Sequence, residues 1–291
     1  MSYSEENGAG LSLFLIFSDL DDTLLDHDSY QWEKARPAIE LCINSHIPVI
    51  LVSSKTRAEI QTIHGAMGLD FPFVSENGGG IFFPLKYEKD LCDDDFEISD
   101  GLIKITLGMS YKDLVVKLKE IAEDTGLKLR GFSQMSEKEV MELTGLNGDQ
   151  CIQALEREFD EPFIITDPED IDTGLLYSSA AKKGLKISQG GRFFHLHGDS
   201  DKGKASGWLI SFYKRQFGAV YSIALGDSPN DFGMFDVVNQ PVLIKSLRCI
   251  TDMKIKERYP GLIITDKYGP EGWNEAVMGL LREEREVLSD V

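Results

Sequence analysis

Short apolar runs of strand length alternate with helix-like stretches at both ends of the chain. The runs lie at 13–17, 47–52 and 71–74 in the first part and at 221–225, 242–245 and 262–265 in the last part. Helical periodicity covers 32–44, 55–67, 203–217 and 271–281. Continuous apolar runs are typical of strands buried on both faces of a sheet. Their alternation with helices predicts an α/β fold with a Rossmann-like, doubly wound parallel sheet.

The middle of the chain has a different pattern. Strand candidates at 102–107, 163–166 and 192–196 are separated by helix candidates such as 114–125 and 151–159. Residues 157–162 mix charges with one aromatic residue, and from the pattern alone we expect a solvated helix end there. We predict that residues 1-88 and 197-291 form the parallel-sheet core and that residues 89-196 form an inserted α+β domain.

Two acidic turns follow apolar strands. The first contains Asp19 and Asp21, whose side chains point to one side of the strand end because side chains alternate along an extended chain. Two carboxylates held this close repel each other unless a cation or a shared proton offsets their negative charge. Mg²⁺ with oxygen ligands would do so, leaving one carboxylate as a nucleophile and the other as a proton donor and acceptor. The second turn places Asp227 where it can complete the metal site.

Lys202 and a pair of serines are candidate anion-binding groups. Lys202 begins a predicted helix, where the macrodipole disfavours a cation unless an anion shares the site. Ser53 and Ser54 follow the second strand and can offer a hydroxyl and backbone N–H groups to that anion. Because parallel sheets bind ligands at the carboxyl ends of their strands, these groups together predict phosphoryl transfer.

Composition narrows the classes of partner. Thirty Lys and Arg residues against 49 Asp and Glu residues give a formal charge of −19, which repels nucleic acids and anionic lipid surfaces. No apolar run approaches the roughly 20 residues of a membrane span, and four dispersed cysteines fit a reducing compartment. We expect a cytoplasmic protein with a small-molecule substrate and with neither a nucleic-acid nor a membrane partner. The pattern leaves the oligomeric state open.

Four motifs resemble, in order, those of the haloacid dehalogenase superfamily of phosphatases. They are Asp19-x-Asp21-x-Thr23, Ser54, Lys202 and Gly226-Asp227-x-x-Asn230-Asp231. The resemblance implies that Asp19 is the nucleophile that becomes an aspartyl phosphate, and that Asp21 is the general acid and base. The implied Mg²⁺ ligands are Asp19, Asp227, Asp231 and the backbone carbonyl of Asp21. The implied phosphate-binding residues are Ser54, Lys202 and Asn230. Asp22 stands where the superfamily usually has glycine, a variation that we expect the chemistry to tolerate.

Over nearly its whole length the chain is similar to the mannosyl-3-phosphoglycerate phosphatases. Stretches that carry this resemblance include Ser53-Ser54-Lys55-Thr56, Glu76-Asn77-Gly78-Gly79, Glu158-Phe159-x-Glu161-Pro162 and Gly269-Pro270-Glu271-Gly272-Trp273. The resemblance implies a Mg²⁺-dependent phosphatase that converts mannosyl-3-phosphoglycerate to mannosylglycerate, a compatible solute, and phosphate. The insertion then acts as a cap that determines specificity. The candidate substrate-binding residues are Asn77, Arg157, Glu158, Arg192 and His195.

Several alternatives stay open at the level of sequence. A phosphatase for glucosyl-3-phosphoglycerate, sucrose phosphate or trehalose phosphate would share the motifs, and so would a phosphomutase. A non-catalytic sugar-phosphate-binding protein is a further alternative, although binding alone does not require a nucleophile together with an acid. The sequence ranks neither Ser53 against Ser54 nor mannose against glucose.

Overall fold

The computed structural model describes residues 12–167, 173–190, 193–246 and 253–289. Arg192 lies outside these residues. The strands are β1 (Leu13–Ser18), β2 (Val49–Leu51), β3 (Phe73–Ser75), β4 (Gly80–Pro84), β5 (Glu97–Ser99), β6 (Leu102–Thr106), β7 (Leu129–Gly131), β8 (Asp160–Ile165), β9 (Lys186–Gly190), β10 (Phe193–His197), β11 (Val220–Gly226), β12 (Gln240–Lys245) and β13 (Ile263–Tyr268). The α-helices are α1 (Arg36–Asn44), α2 (Arg57–Ala66), α3 (Tyr111–Thr125), α4 (Glu137–Thr144), α5 (Gly148–Leu155), α6 (Thr173–Lys182), α7 (Lys202–Phe217), α8 (Phe232–Phe235), α9 (Met253–Arg258) and α10 (Gly269–Ser289).

The chain divides into two compact units. Unit 1 comprises Met1–Ser53, His64–Phe73 and Lys202–Val291, and unit 2 comprises Ser54–Ile63 and Val74–Asp201. Unit 2 therefore includes more of the chain than the predicted insertion at 89-196. Strands β3, β4, β6 and β5 form one sheet within unit 2.

Unit 1 contains a five-stranded sheet in the order β13-β12-β11-β1-β2. The strands of this sheet all pair in parallel, and the apolar run that predicted β1 is almost completely buried between its neighbours β11 and β2. The Rossmann-like core is thus confirmed. The chain proceeds from β1 to β2 on one side and through β11, β12 and β13 on the other. β1 therefore lies at the point where the strand order reverses, which is where such sheets bind ligands.

Unit 2 contains two four-stranded sheets, ordered β7-β8-β10-β9 and β3-β4-β6-β5. The strand at 71–74, which we expected to continue the parallel sheet, appears as β3 in the second of these sheets. Strand β10 pairs antiparallel with both β8 and β9. Leu114, Leu118 and Ile121 of α3 pack with Phe163 of β8 in a hydrophobic core that unit 2 forms by itself. Helices and antiparallel sheets together make this unit α+β.

Residues 157–162 are not the solvated helix end expected from their charges. Helix α5 ends at Leu155 and β8 begins at Asp160, with Asp160 and Glu161 fully buried. Phe159 explains part of the difference, because its ring packs so closely on Gly79 that a Cβ there would lie 2.2 Å from the Phe159 Cβ. Tertiary packing holds this segment extended where the local pattern favoured helix.

Candidate active site

Asp19 and Asp227 follow the carboxyl ends of two neighbouring strands. β1 and β11 pair in parallel with Ser18 opposite Leu225, and the Asp19 N–H donates to the Leu225 carbonyl at 2.9 Å. Because β1 and β11 run in the same direction, their acidic turns lie at the same edge of the sheet. The sheet register therefore brings together two side chains that are 208 positions apart in the sequence.

Lys202 joins this edge from the first turn of α7. Its Nζ donates to Asp19 Oδ1 at 2.6 Å and to Asp231 Oδ1 at 2.7 Å. Its side chain is only 2% exposed. Close packing of α7 on α8 positions this residue, since a Cβ at Gly203 would lie 2.3 Å from the Gly233 carbonyl oxygen. A cation at a helix start is thereby offset by two buried carboxylates.

Asp231 is held in place by hydrogen bonds to the backbone of the residues that precede it. Its Oδ2 accepts hydrogen bonds from the backbone N–H groups of Asp227 at 3.0 Å and Ser228 at 3.1 Å. This backfolding requires a glycine at 226, because a Cβ there would lie 2.4 Å from the Asp231 Cγ. The segment Pro229–Asp231 forms a 3₁₀ turn. Asp231 thus orients both Lys202 and the backbone that carries Asp227.

A buried tryptophan supports the backbone of Asp19. Trp273 of α10 is fully buried, and its Nε1–H donates to Ser18 Oγ at 2.9 Å. The Ser18 hydroxyl in turn donates to the Asp19 carbonyl at 2.7 Å. In the sequence Trp273 stands out only as part of a stretch that resembles the family. The Gly269-Pro270-Glu271-Gly272-Trp273 stretch was the available signal, and it did not indicate a partner.

Burial shifts the pKa values of the charged side chains in this site. It raises the pKa of Asp19 to about 8 against the opposing attraction of Lys202, and it raises that of Asp227 to about 6 with the help of Asp231. For Lys202, burial alone would lower the pKa, but Asp19 and Asp231 raise it above its ordinary value. Lys202 therefore stays charged, whereas Asp19 needs additional positive charge to ionise fully at neutral pH.

The carboxylates also form a group that fits a metal ion. Asp19, Asp227 and Asp231 each offer an oxygen, and the three oxygens lie within 4.8 Å of one another. A set of oxygen ligands suits a hard cation such as Mg²⁺ rather than a soft metal ion that prefers thiolate ligands. Since the oxygens of Asp231 already accept from Lys202 and two amides, Asp19 and Asp227 are the more available ligands of the three.

The remaining predicted residues of the catalytic and phosphate-binding sets are distributed more widely. Asp21 is half-buried and forms an isolated β-bridge with Leu25. Asn230 is exposed in the turn before Asp231. Ser53 is buried and ends the first segment of unit 1. Ser54 is the first residue of unit 2, and its carbonyl accepts from Arg157 Nη1 at 3.0 Å. Both serines stay candidates for binding phosphate.

Unit 2 brings together two of the predicted substrate-binding residues. Asp160 Oδ2 contacts His195 Nδ1 at 2.7 Å and accepts from Arg157 Nη1 at 3.3 Å. Burial opposes the charge of Asp160, but His195 and Arg157 hold its pKa below the ordinary value, so the carboxylate is ionised. Sequence analysis missed Asp160, because nothing in a charged segment beside a helix distinguishes a buried carboxylate from an exposed one.

The other two described candidates of unit 2 have different surroundings. Glu158 directs its oxygens to Arg57 at 2.9 Å and to Lys104 at 3.0 Å, so it belongs to an ion-pair cluster apart from Asp160. Asn77 is buried with φ of 55°, next to Glu76 with φ of 49°. Such values are uncommon for residues other than glycine and indicate that tertiary contacts hold this turn.

Glu76 provides those contacts. Its oxygens accept hydrogen bonds from the backbone N–H groups of Glu158 at 2.9 Å and Phe159 at 2.8 Å. Burial raises the pKa of this carboxyl to about 8, although Arg157 lowers it in part. In the sequence, Glu76 stands within a stretch that resembles the family, and its local pattern indicates no role for it. Its contacts make it a connection between the turn after β3 and the segment that leads into β8.

Comparison with known proteins identifies the family. The family profile described as haloacid dehalogenase-like hydrolase matches residues 16–246. A glucosyl-3-phosphoglycerate/mannosyl-3-phosphoglycerate phosphatase of Methanococcoides burtonii is 38% identical over 273 residues, covering 92% of this chain and 97% of the relative. A mannosyl-3-phosphoglycerate phosphatase of Pyrococcus horikoshii is 36% identical over 238 residues, covering 80% and 91%. The chain belongs to the haloacid dehalogenase-like hydrolases and, within them, to the mannosyl-3-phosphoglycerate phosphatase family.

Solved structures agree on the fold. A crystal structure of a Thermoplasma acidophilum protein aligns with a TM-score of 0.63 and 21% identity, covering 92% of this chain and 98% of that one. A haloacid dehalogenase-like hydrolase from Bacteroides thetaiotaomicron aligns with a TM-score of 0.61 and 16% identity, covering 92% and 100%. Among the described residues, no helix has both the length and the apolar character needed to cross a membrane.

Proposed function

We propose that this protein is a phosphatase that hydrolyses the phosphate ester of glycosyl-3-phosphoglycerates, with mannosyl-3-phosphoglycerate as the leading substrate. The observation that carries the proposal is the buried contact of Lys202 Nζ with Asp19 Oδ1 at the carboxyl end of β1. Asp227 follows the neighbouring strand, and relatives over 92% of the chain bear this activity in their names. The glucosyl compound is the second substrate, because the Methanococcoides burtonii relative is named for both.

In the first chemical step we assign the nucleophile to Asp19. One of its carboxylate oxygens forms a bond to phosphorus while the bond between phosphorus and the glycerate oxygen breaks. Asp21 gives a proton to the departing glycerate oxygen. Lys202 keeps its charge and neutralises the carboxylate and the transferring phosphoryl group, which is the main contribution of a protein to this kind of transfer.

In the second step Asp21 accepts a proton from a water molecule, and that water attacks the aspartyl phosphate. The bond between phosphorus and the Asp19 oxygen breaks, which returns the carboxylate and releases inorganic phosphate. Ser53 or Ser54 and Asn230 bind the phosphate oxygens during both steps. Asp231 positions Lys202 and the Asp227 backbone through the hydrogen bonds described above.

We assign Mg²⁺ as the cofactor, held by Asp19 and Asp227 with Asp231 beside them and with the backbone carbonyl of Asp21. The three buried carboxylates support this assignment, because their oxygens can meet on one cation. When bound, the ion supplies positive charge that favours the ionised form of Asp19 and offsets the charge of the phosphoryl group.

We further propose a cytoplasmic protein whose segment 89-196 determines specificity as a cap. The dispersed cysteines support a reducing compartment, since Cys42, Cys92 and Cys151 are free thiols. The partner is a small phosphorylated sugar-glycerate. The formal charge of −19 argues against a nucleic-acid partner.

Phosphate release tests the proposal. Purified protein is incubated with mannosyl-3-phosphoglycerate, glucosyl-3-phosphoglycerate, sucrose 6-phosphate or trehalose 6-phosphate, each with Mg²⁺ and with EDTA. We expect Mg²⁺-dependent release from the first two compounds and little from the others. Preference for sucrose or trehalose phosphate would reject the substrate and retain the chemistry. A requirement for a bisphosphorylated activator, with no net release, would indicate a mutase.

A further inference from the structure

Arg157, Asp160 and His195 form a buried polar cluster in unit 2, here called the Asp160 cluster. The Asp160 side chain is fully buried and that of Arg157 is 8% exposed. Asp160 Oδ2 holds both partners, with His195 Nδ1 at 2.7 Å and Arg157 Nη1 at 3.3 Å. One carboxylate oxygen thus fixes the position of an imidazole and of a guanidinium.

Two hydrogen-bonding atoms of the cluster have no partner among the residues that the structure describes. Asp160 Oδ1 is buried and accepts no hydrogen bond from the described residues. Arg157 donates through Nε to the Ala154 carbonyl and through Nη1 to Ser54 and Asp160, but the described part of the chain provides no acceptor for Nη2. Leaving the buried Asp160 Oδ1 unsatisfied is costly, so its presence there requires an explanation.

The unpartnered atoms of the cluster indicate which chemical group could bind there. Asp160 Oδ1 only accepts hydrogen bonds, whereas Arg157 Nη2 only donates them, and Nε2 is the ring nitrogen that Asp160 leaves to His195. A hydroxyl group both donates and accepts, so a pair of neighbouring hydroxyls satisfies the acceptor and the donors together. A carboxylate has no proton to donate and is repelled by the ionised Asp160.

We propose that the Asp160 cluster binds neighbouring hydroxyl groups of the sugar, with Asp160 accepting a hydrogen bond from one hydroxyl and orienting Arg157 and His195 toward the sugar oxygens. The proposal rests on the proposed function for the identity of the substrate, and it deepens that function by assigning the sugar rather than the glycerate carboxylate to this cluster.

The test compares ligands with and without the sugar in the full-length protein. Asp160→Asn keeps the size of the side chain and removes its charge, and Asp167→Asn is the matched control because Asp167 is an exposed residue of the same unit. KM and kcat are measured for mannosyl- and glucosyl-3-phosphoglycerate. Inhibition constants are measured for 3-phosphoglycerate, which has the carboxylate and no sugar, and for mannosylglycerate, which has both.

We expect Asp160→Asn to raise the KM of the glycosyl substrates by about 10-fold and to weaken mannosylglycerate by a similar factor. We expect kcat and the inhibition constant of 3-phosphoglycerate to change by less than about 2-fold, and Asp167→Asn to change nothing. An unchanged KM in a folded Asp160→Asn protein overturns the proposal. An equal loss for 3-phosphoglycerate also overturns it, since the cluster would then bind the glycerate.

A second variant keeps the inference testable if Asp160→Asn does not fold. His195→Gln leaves a donor at this position on β10 and removes the ring held by Asp160, so we expect a rise in the KM of the glycosyl substrates without a change for 3-phosphoglycerate. No selective rise in His195→Gln overturns the proposal. Failure of the proposed function has a separate signature, which is a wild-type protein that releases no phosphate from either glycosyl substrate.

Discussion

Each of the two compact units buries a cluster of charged side chains, and the clusters differ in how fully they are paired. In unit 1, Lys202 Nζ contacts both Asp19 and Asp231, and Asp231 is also held by two backbone amides. In unit 2, Asp160 holds two partners with one oxygen, and its other oxygen is buried with no partner in the part of the chain that the structure describes. The arrangement in unit 1 concentrates charge. The arrangement in unit 2 leaves an acceptor that could form a directional hydrogen bond with a ligand.

The difference follows from how each unit brings its residues together. Unit 1 assembles its cluster at the carboxyl ends of parallel strands, where topology alone directs acidic turns to one edge. Unit 2 assembles its cluster across antiparallel strands, where β8 and β10 set Asp160 opposite His197 and close to His195. A phosphoryl group needs concentrated charge, whereas neutral hydroxyls need oriented donors and acceptors.

The most severe way to break the unit 1 cluster is Asp19→Asn. We expect kcat to fall by about 10⁴-fold or more, because the variant lacks the proposed nucleophile. Phosphate release from mannosyl-3-phosphoglycerate measures the loss, and the exposed Asp28→Asn is the control in the same segment. Activity within about 10-fold of wild type would contradict the role of Asp19.

Lys202→Met removes the cation and keeps an unbranched side chain. We expect kcat/KM to fall by about 100-fold to 1000-fold, and stability to fall by about 3–5 kcal/mol because two buried carboxylates lose their partner. Urea unfolding and steady-state kinetics measure the two effects. Lys204→Met, two positions further along α7 and exposed, should leave both quantities unchanged. Equal effects at 202 and 204 would show that the buried contacts are unimportant.

Gly226→Ala tests the space that Asp231 needs. The added Cβ would lie 2.4 Å from the Asp231 Cγ, so the side chain must move away from Lys202 and from the Asp227 backbone. We expect kcat to fall by about 100-fold, a typical loss for a displacement near 1 Å. Gly207→Ala is the control, because its nearest neighbour outside the helix backbone is 4.0 Å away. Normal kcat in Gly226→Ala would contradict the positioning role of Asp231.

Removal of metal should expose the titration of unit 1. The pKa of Asp19 is raised from 3.8 to about 8, so the folded state keeps a proton that the unfolded state has released. Stability in EDTA should therefore decrease as pH rises from about 4 to about 8 and become level above it. Thermal unfolding across this range measures the slope, and Asp19→Asn should reduce it. A stability that rises with pH in wild type would contradict the shift.

Glu76→Gln gives the smallest expected effect on catalysis and sharpens the comparison from the side of unit 2. One of its side-chain atoms becomes an NH₂ group facing a backbone N–H, so we expect a loss of about 1–3 kcal/mol in stability. Hydrolysis of p-nitrophenyl phosphate should change by less than about 2-fold. Urea unfolding is the measurement, with the exposed Glu123→Gln as control. A stability equal to that of the control would mean that the two hydrogen bonds contribute nothing.

Much of unit 1 could be predicted from the sequence. Its apolar runs are long enough to identify buried strands. The turns after β1 and β11 both carry aspartates, and the parallel pairing of these strands brings those aspartates to the same edge of the sheet. The sequence therefore determined the parallel sheet and the pairing of Asp19 with Asp227, and it indicated Lys202 as a candidate anion-binding residue. It could not assign the Trp273 contact with Ser18, because that contact joins residues 255 positions apart through packing alone.

Only the tertiary structure decided the roles in unit 2. The charges of residues 157–162 favoured a solvated helix end, yet Phe159 packs on glycine backbone and Glu76 holds the segment by two amides. Local pattern reports which residues can be buried, whereas long-range contacts determine which polar residues are buried and paired. For that reason Asp160 became a candidate for binding substrate only through its tertiary contacts, with one oxygen paired and the other buried without a partner among the described residues.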